Sequence, residues 1–175
     1  MSGRWIGIFP IICVVLLIVS LFLPVMGLTI FSSGVIDPAV TGDIMPLGGG
    51  ILDELEPYVA TVPEASELQT SFFWVGIIFA IFFGLDALFL FIGGIRVMTG
   101  NKELDKARKR WLTGGLSRII SQAIVIALIL FFIPDFVADN YPGVELTFTI
   151  GLGMIMVMAV GGILVFAWIL AKISD

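Results

Sequence analysis

Histidine is missing from this chain, and cysteine occurs once, at Cys13. The first absence removes the commonest general base and metal ligand. The second excludes an intramolecular disulfide and any cysteine-based metal centre. Charge is scarce: Asp, Glu, Lys and Arg make up 13% of the 175 residues, where a soluble domain carries roughly 25%. Positive charge is absent from 28–71, which hold Asp37, Asp43, Asp53, Glu54, Glu56, Glu64 and Glu67, and from 134–146, which hold Asp135, Asp139 and Glu145. No nucleophile–base pair, phosphate loop or metal-ligand spacing occurs, so the expectation is a non-enzyme with no cofactor and no metal. A nucleic-acid partner is not expected, because the basic residues form one short cluster with a simpler topological explanation.

What remains is apolar. Hydrophobic residues make up 59% of the chain, and the mean hydropathy is +1.13. A soluble protein of this composition would expose apolar patches and aggregate. Four apolar runs, 5–31, 72–95, 111–133 and 146–170, each supply the roughly 20 residues that a helix needs to cross a bilayer. Pro10 and Pro24 sit near the two ends of the first run, where a lost helix hydrogen bond matters least. An alternative for that run is a signal peptide, with Arg4 before the apolar stretch and small residues around Gly27. The expected fold is all-α: a four-helix integral membrane bundle forming a single domain over 1–175.

Charge sets the expected orientation. Arg96, Lys102, Lys106, Arg108, Lys109 and Arg110 crowd one short connection, which the positive-inside rule places in the cytoplasm. Both termini, with Arg4 and Lys172, then lie there too, and the acidic segments face outward from the cell membrane. The outer loop 32–71 opens with turn residues: Ser32, Ser33, Gly34, Asp37-Pro38, Gly42 and Gly48-Gly49-Gly50. Ile51, Leu52, Leu55, Tyr58 and Val59 against Asp53, Glu54 and Glu56 have the spacing of a short amphipathic helix. Thr61 with Glu64 forms a capping box, with Pro63 in the first turn. The second helix is therefore expected to start near Val62, well outside the membrane, and to run unbroken through 67–73.

Asp86 is the acid inside a span. A carboxylate there costs several kcal/mol unless paired or protonated, about 3 in insertion measurements, so it marks a functional position by default. Arg118 and Gln122, four residues apart on one face of the third span, lie at matching depth, with Ser121 beside them. The second and third spans are joined by a short connection and are expected to be antiparallel neighbours. Asp86, Arg118, Ser121 and Gln122 thus form a candidate intramembrane polar cluster. It is either a structural lock or a proton or cation site. Gly76, Ala80 and Gly84, and Ala167 and Ala171, recur every fourth residue, a spacing that permits close helix approach in lipid. Trp5, Trp74, Trp111 and Trp168 lie near the expected membrane interfaces as an aromatic belt.

The order of a large first outer loop, a short inner loop and a short second outer loop resembles claudin-like four-span proteins, although the outer Trp and paired outer Cys of that family are missing. Gly93-Gly94-Ile95-Arg96-Val97-Met98-Thr99-Gly100 followed by Lys106-Ala107-Arg108-Lys109-Arg110 resembles the hairpin loop of conjugative pilins. The expected role is a structural or accessory subunit that packs laterally in a membrane assembly, with the acidic outer loop as contact surface. The alternatives are a small transporter or channel component using Asp86, and a conjugative-pilin-like membrane protein. The expected partners are the lipid bilayer and other membrane subunits or further copies of the chain.

Overall fold

The computed structural model describes residues 3–32, 36–47, 49–59, 63–100, 104–140 and 143–174. A 3-10 turn, Arg4–Gly7, leads into helix α1, Ile8–Ser20, and two strands follow, β1 at Met26–Ser32 and β2 at Ile36–Ile44. Next come α2 at Ile51–Val59, α3 at Pro63–Met98 and α4 at Leu104–Ala127. A π-helical segment, Leu128–Phe132, joins α4 to α5, Ile133–Asn140. Strand β3, Val144–Ile150, precedes the last helix α6, Leu152–Ile173. Three helical stretches are long and apolar enough to cross a membrane: Gln69–Met98, Leu104–Asp139 and Leu152–Ile173.

The first expected span is shorter than its apolar run. The helix stops at Ser20, whose buried hydroxyl donates back to the Leu17 carbonyl at 2.7 Å. Pro24 disfavours helical geometry at the residue before it, and from Met26 the chain is a strand. Arg4–Ser20 is thus an apolar helix below the length of the other three. The fourth run is corrected in the same way: 144–150 is strand, and α6 begins at Leu152. Both errors have one cause. An apolar run does not distinguish strand from helix by content alone. The alternation in Val144-Glu145-Leu146-Thr147-Phe148-Thr149-Ile150 is that of a strand with one wet face.

The three strands form an antiparallel sheet in the order β2-β1-β3, so the expectation of helices alone is corrected by a small sheet at one end of the molecule. Leu28, Ile30, Val40 and Ile44 turn one face inward, where Val25, Met26, Ile51 and Met154 complete a core flanked by Phe72, Phe79, Val125, Ile126 and Ile129. The opposite face carries Thr29 beside Thr41 and Thr147, and Gly27 between Asp43 and Thr149. Backbone bonds tie the sheet to the start of α6: Gly151 N–H donates to Val25 O at 3.0 Å and Gly153 N–H to Pro24 O at 2.9 Å. At Gly151 a side chain would strike the Pro24 carbonyl.

The helix at 51–59 packs on β2 and α3, with Ile51 buried and the Gln69 side chain donating to the Leu52 carbonyl at 3.1 Å. Thr61 and Val62, where the capping box was expected, lie outside the described residues. From Pro63 the third helix is unbroken through 67–73 and runs 36 residues. The π-helical segment lies just before Pro134. A proline ring crowds the carbonyl four residues upstream and has no N–H to offer it, and a widened turn accommodates both.

The helices do not pack in the order the connections suggest. α1 lies against α3 and α6, and α6 against α4, whereas α3 and α4 barely touch. The expected antiparallel neighbours are therefore set apart by the central α1–α6 pair, which feeds adjacent strands of the sheet. Two glycine crossings set these contacts. Gly7, the residue just before α1, meets Gly94 where the start of α1 crosses α3, and a Cβ added to either would fall 2.9 Å from the other's carbonyl. Gly115 and Gly161 meet where α4 crosses α6, at 2.7 and 2.9 Å by the same measure. Between the helices Cys13, Leu17, Phe83, Trp111, Val160, Leu164, Ala167 and Ala171 form a second apolar core.

Candidate functional site

Asp86 on α3 and Arg118 on α4 reach across the gap between their helices. Arg118 Nε donates to Asp86 Oδ2 at 2.7 Å and Nη2 donates to Oδ1, so the guanidinium engages the carboxylate with two parallel bonds. Its third nitrogen, Nη1, donates to the Gly114 carbonyl one turn back at 2.9 Å. A fork–fork pair of this kind is about twice as strong as a neutral hydrogen bond and fixes the planes of both groups. The Arg118 side chain is 15% exposed and that of Asp86 35%. From Met98 back to Asp86 is twelve residues, about 18 Å along the helix, so the pair lies deep in the helical body.

Ser121 does not join the pair. Its hydroxyl donates to the Arg118 main-chain carbonyl at 3.1 Å, and the residue is exposed. Gln122 Oε1 is buried with no hydrogen-bond donor near it. Beyond Gln122, toward the sheet, Val125 and Ile126 of α4, Ile129 of the π-helical segment and Phe79 of α3 pack against the apolar core under the sheet.

On the other side of the pair, toward the basic connection, an open cleft of about 340 Å³ separates α3 from α4. Phe89, Leu90, Ile92 and Gly93 form one wall, Trp111 and Gly114 the other, and Leu164 of α6 the floor. Arg96, Arg110 and Arg118 supply its polar lining. Trp111 is 5% exposed and belongs to the helix core rather than to an interfacial belt. Trp5 and Trp74 are exposed, and Trp168 carries the Lys172 ammonium 5.6 Å from its ring centre.

The small residues divide. Gly76 admits the Met45 carbonyl, 2.7 Å from where a Cβ would stand, and Ala80 lines a shallow groove with Pro46, Leu47 and Phe73. Gly84 has nothing near it. Ala167 and Ala171 are fully buried. Spacing by four did not reveal the two glycine crossings, because each helix contributes a single glycine to its crossing. The acids of the two acidic segments whose side chains are described (Asp43, Asp53, Glu54, Glu56, Glu67, Asp135, Asp139 and Glu145) are all exposed at the sheet end. Among the described residues, no three His, Cys, Asp or Glu side chains converge on a point that could hold a metal ion.

Comparison with protein families, curated proteins and solved structures finds no match.

Proposed function

We propose that this is a non-enzymatic integral membrane protein, a structural or accessory subunit that packs laterally in a membrane assembly. The basic segment 96–110 faces the cytoplasm, and the acidic loop at the sheet end is the contact surface outside. The observation that carries the reading is the Asp86–Arg118 pair. Both carboxylate oxygens are taken by one guanidinium, and the apolar core under the sheet lies beyond it. A transport path needs polar groups at successive depths, and an intramembrane carboxylate held by a fork has the features of a lock between helices. The outward row of Thr29, Thr41 and Thr147, flanked by exposed acids, offers a hydrophilic surface on a stiff platform. Purification in mild detergent followed by mass analysis tests the role. Co-migration with a second membrane protein or as a defined homo-oligomer is expected, and isolation as a lone monomer at every detergent concentration overturns it.

A second reading is favoured by the unpartnered Gln122 Oε1, one helical turn from Arg118, and by a carboxylate that is 35% exposed: a small transporter or channel component with Asp86 as a proton or cation site. Proton or cation flux in vesicles containing the purified chain, lost in Asp86→Asn, would establish it over the structural role.

A further inference from the structure

The cleft between α3 and α4 is where the fold leaves a shaped surface unfilled. Its walls are apolar, its floor is Leu164, and beside Gly93 there is open space. Its charge has one sign. Arg118 is held by Asp86 and Gly114, but Arg96 and Arg110 are exposed and have no carboxylate partner among the described residues. Both stand on the last turn of α3 or the second turn of α4, at the end where an apolar helix meets the headgroup layer if the chain spans a membrane.

We propose that this cleft binds one anionic phospholipid of the leaflet on the basic side, its phosphate between Arg96 and Arg110 and one acyl chain along Phe89, Ile92 and Gly93. The inference rests on the membrane reading and not on the subunit role. Three features point to a lipid rather than a soluble anion or a partner helix. The groove opens sideways between two helices, its lining is mainly apolar with Arg96 and Arg110, the two cations that Asp86 does not hold, at one end, and basic pockets between spans on that side suit anionic headgroups. The Asp86–Arg118 pair closes the deep end. It fixes the spacing of α3 and α4, which otherwise barely touch, so the lock gives the groove its width.

The test is native mass spectrometry of the full chain released from detergent and titrated with phosphatidylglycerol or phosphatidylcholine of the same acyl chains. One phosphatidylglycerol per chain is expected to be retained in preference to phosphatidylcholine. Each arginine near a headgroup contributes about fivefold in affinity, so Arg96→Gln with Arg110→Gln should cut the preference roughly 25-fold. Gly93→Leu, which fills the groove and leaves the charge untouched, should abolish retention of either lipid. Lys109→Gln, outside the cleft, should change nothing. Equal retention of both lipids by the native chain overturns the proposal, as does a preference that falls as much in Lys109→Gln as in the arginine pair. Displacement of the lipid by millimolar inorganic phosphate would instead mark a soluble-anion site, and a protein occupying the cleft in its place would mark a subunit contact. Either also overturns the proposal. Thermal unfolding of each variant in the same detergent separates lost binding from lost structure.

Discussion

Replacing Asp86 with Asn tests the lock directly. The change is isosteric, so packing against α4 is kept while one charge is removed. In the native chain Arg118 gives Nε–H and one Nη2–H to the two carboxylate oxygens. An Asn offers one oxygen, and its amide nitrogen would point two hydrogens at a guanidinium that has only hydrogens to return. The remaining bond from Nη1 to the Gly114 carbonyl does not neutralise the charge. Removing one partner of a fully buried pair costs about 3–5 kcal/mol, mostly because the other charge is left uncompensated. Arg118 is 15% exposed, but Asp86 is 35% exposed, and pairs in full solvent are worth about 1 kcal/mol or less. The expected loss is therefore intermediate, about 2–3 kcal/mol.

Arg118→Met leaves the less buried partner alone and should cost less. The double variant, with neither charge, should be more stable than the sum of the two losses allows. The assay is reversible unfolding in mixed micelles followed by tryptophan fluorescence, run on all four proteins of the cycle. A coupling of about 1 kcal/mol or more is expected, and additivity to within about 0.5 kcal/mol would refute the idea that the two residues act as a pair.

Gly161→Ala should destabilise by about 1–3 kcal/mol, because the new methyl falls 2.8 Å from Ile119 Cγ1 and 2.9 Å from the Gly115 carbonyl. Gly162→Ala, with open space beside it, should be neutral or slightly stabilising in the same unfolding assay. Gly50 has φ +65°, and an added side chain would meet the Asp43 carbonyl, so Gly50→Ala should cost more than about 1 kcal/mol. Loss of amide protection in β2 by hydrogen exchange would show where the strain goes. Cys13 is fully buried on α1, so a membrane-permeant maleimide should fail to label the folded chain and label it completely once it is unfolded in dodecyl sulfate. Rapid labelling of the native protein would place α1 outside the core.

Much of the helical part was legible because its signals are local. Depth at 1.5 Å per residue along two antiparallel helices put Asp86 level with Arg118 and Gln122, from the position of the turn alone, and did not choose between them. The unbroken start of α3 followed from Pro63 and the residues around it. The sheet was not legible by the same means. β1 and β3 are each continuous in sequence with apolar helical runs, and a window wide enough to detect a span averages away an alternation of seven residues. The clue was present in Val144–Ile150, where every second residue is Glu or Thr, and in Met26, Leu28 and Ile30 against Gly27 and Thr29. Helix adjacency was illegible for a different reason. A short connection brings α3 and α4 together only if nothing nearer competes, and the sheet supplies the competition.

That competition explains why the molecule has a cleft at all. β1 pairs with β3, so the end of α1 and the start of α6 are drawn together at the sheet, and the bonds from Gly151 and Gly153 fix the junction. With α1 and α6 in the centre, α3 and α4 occupy the flanks. Each is held to the central pair by a glycine crossing, Gly7 with Gly94 and Gly115 with Gly161. Neither crossing constrains the distance between the two flanking helices. At the sheet end they are held by the core that contains Phe72, Phe79, Val125, Ile126 and Ile129, and at the other end by the connection 99–103. Between those limits the Asp86–Arg118 fork is a direct tie, placed where the apolar packing gives out. A buried ion pair is costly to desolvate, so it persists where apolar contact cannot do the same work. Here the two flanking helices make few contacts of their own, and Arg118 is the side chain that reaches across to Asp86.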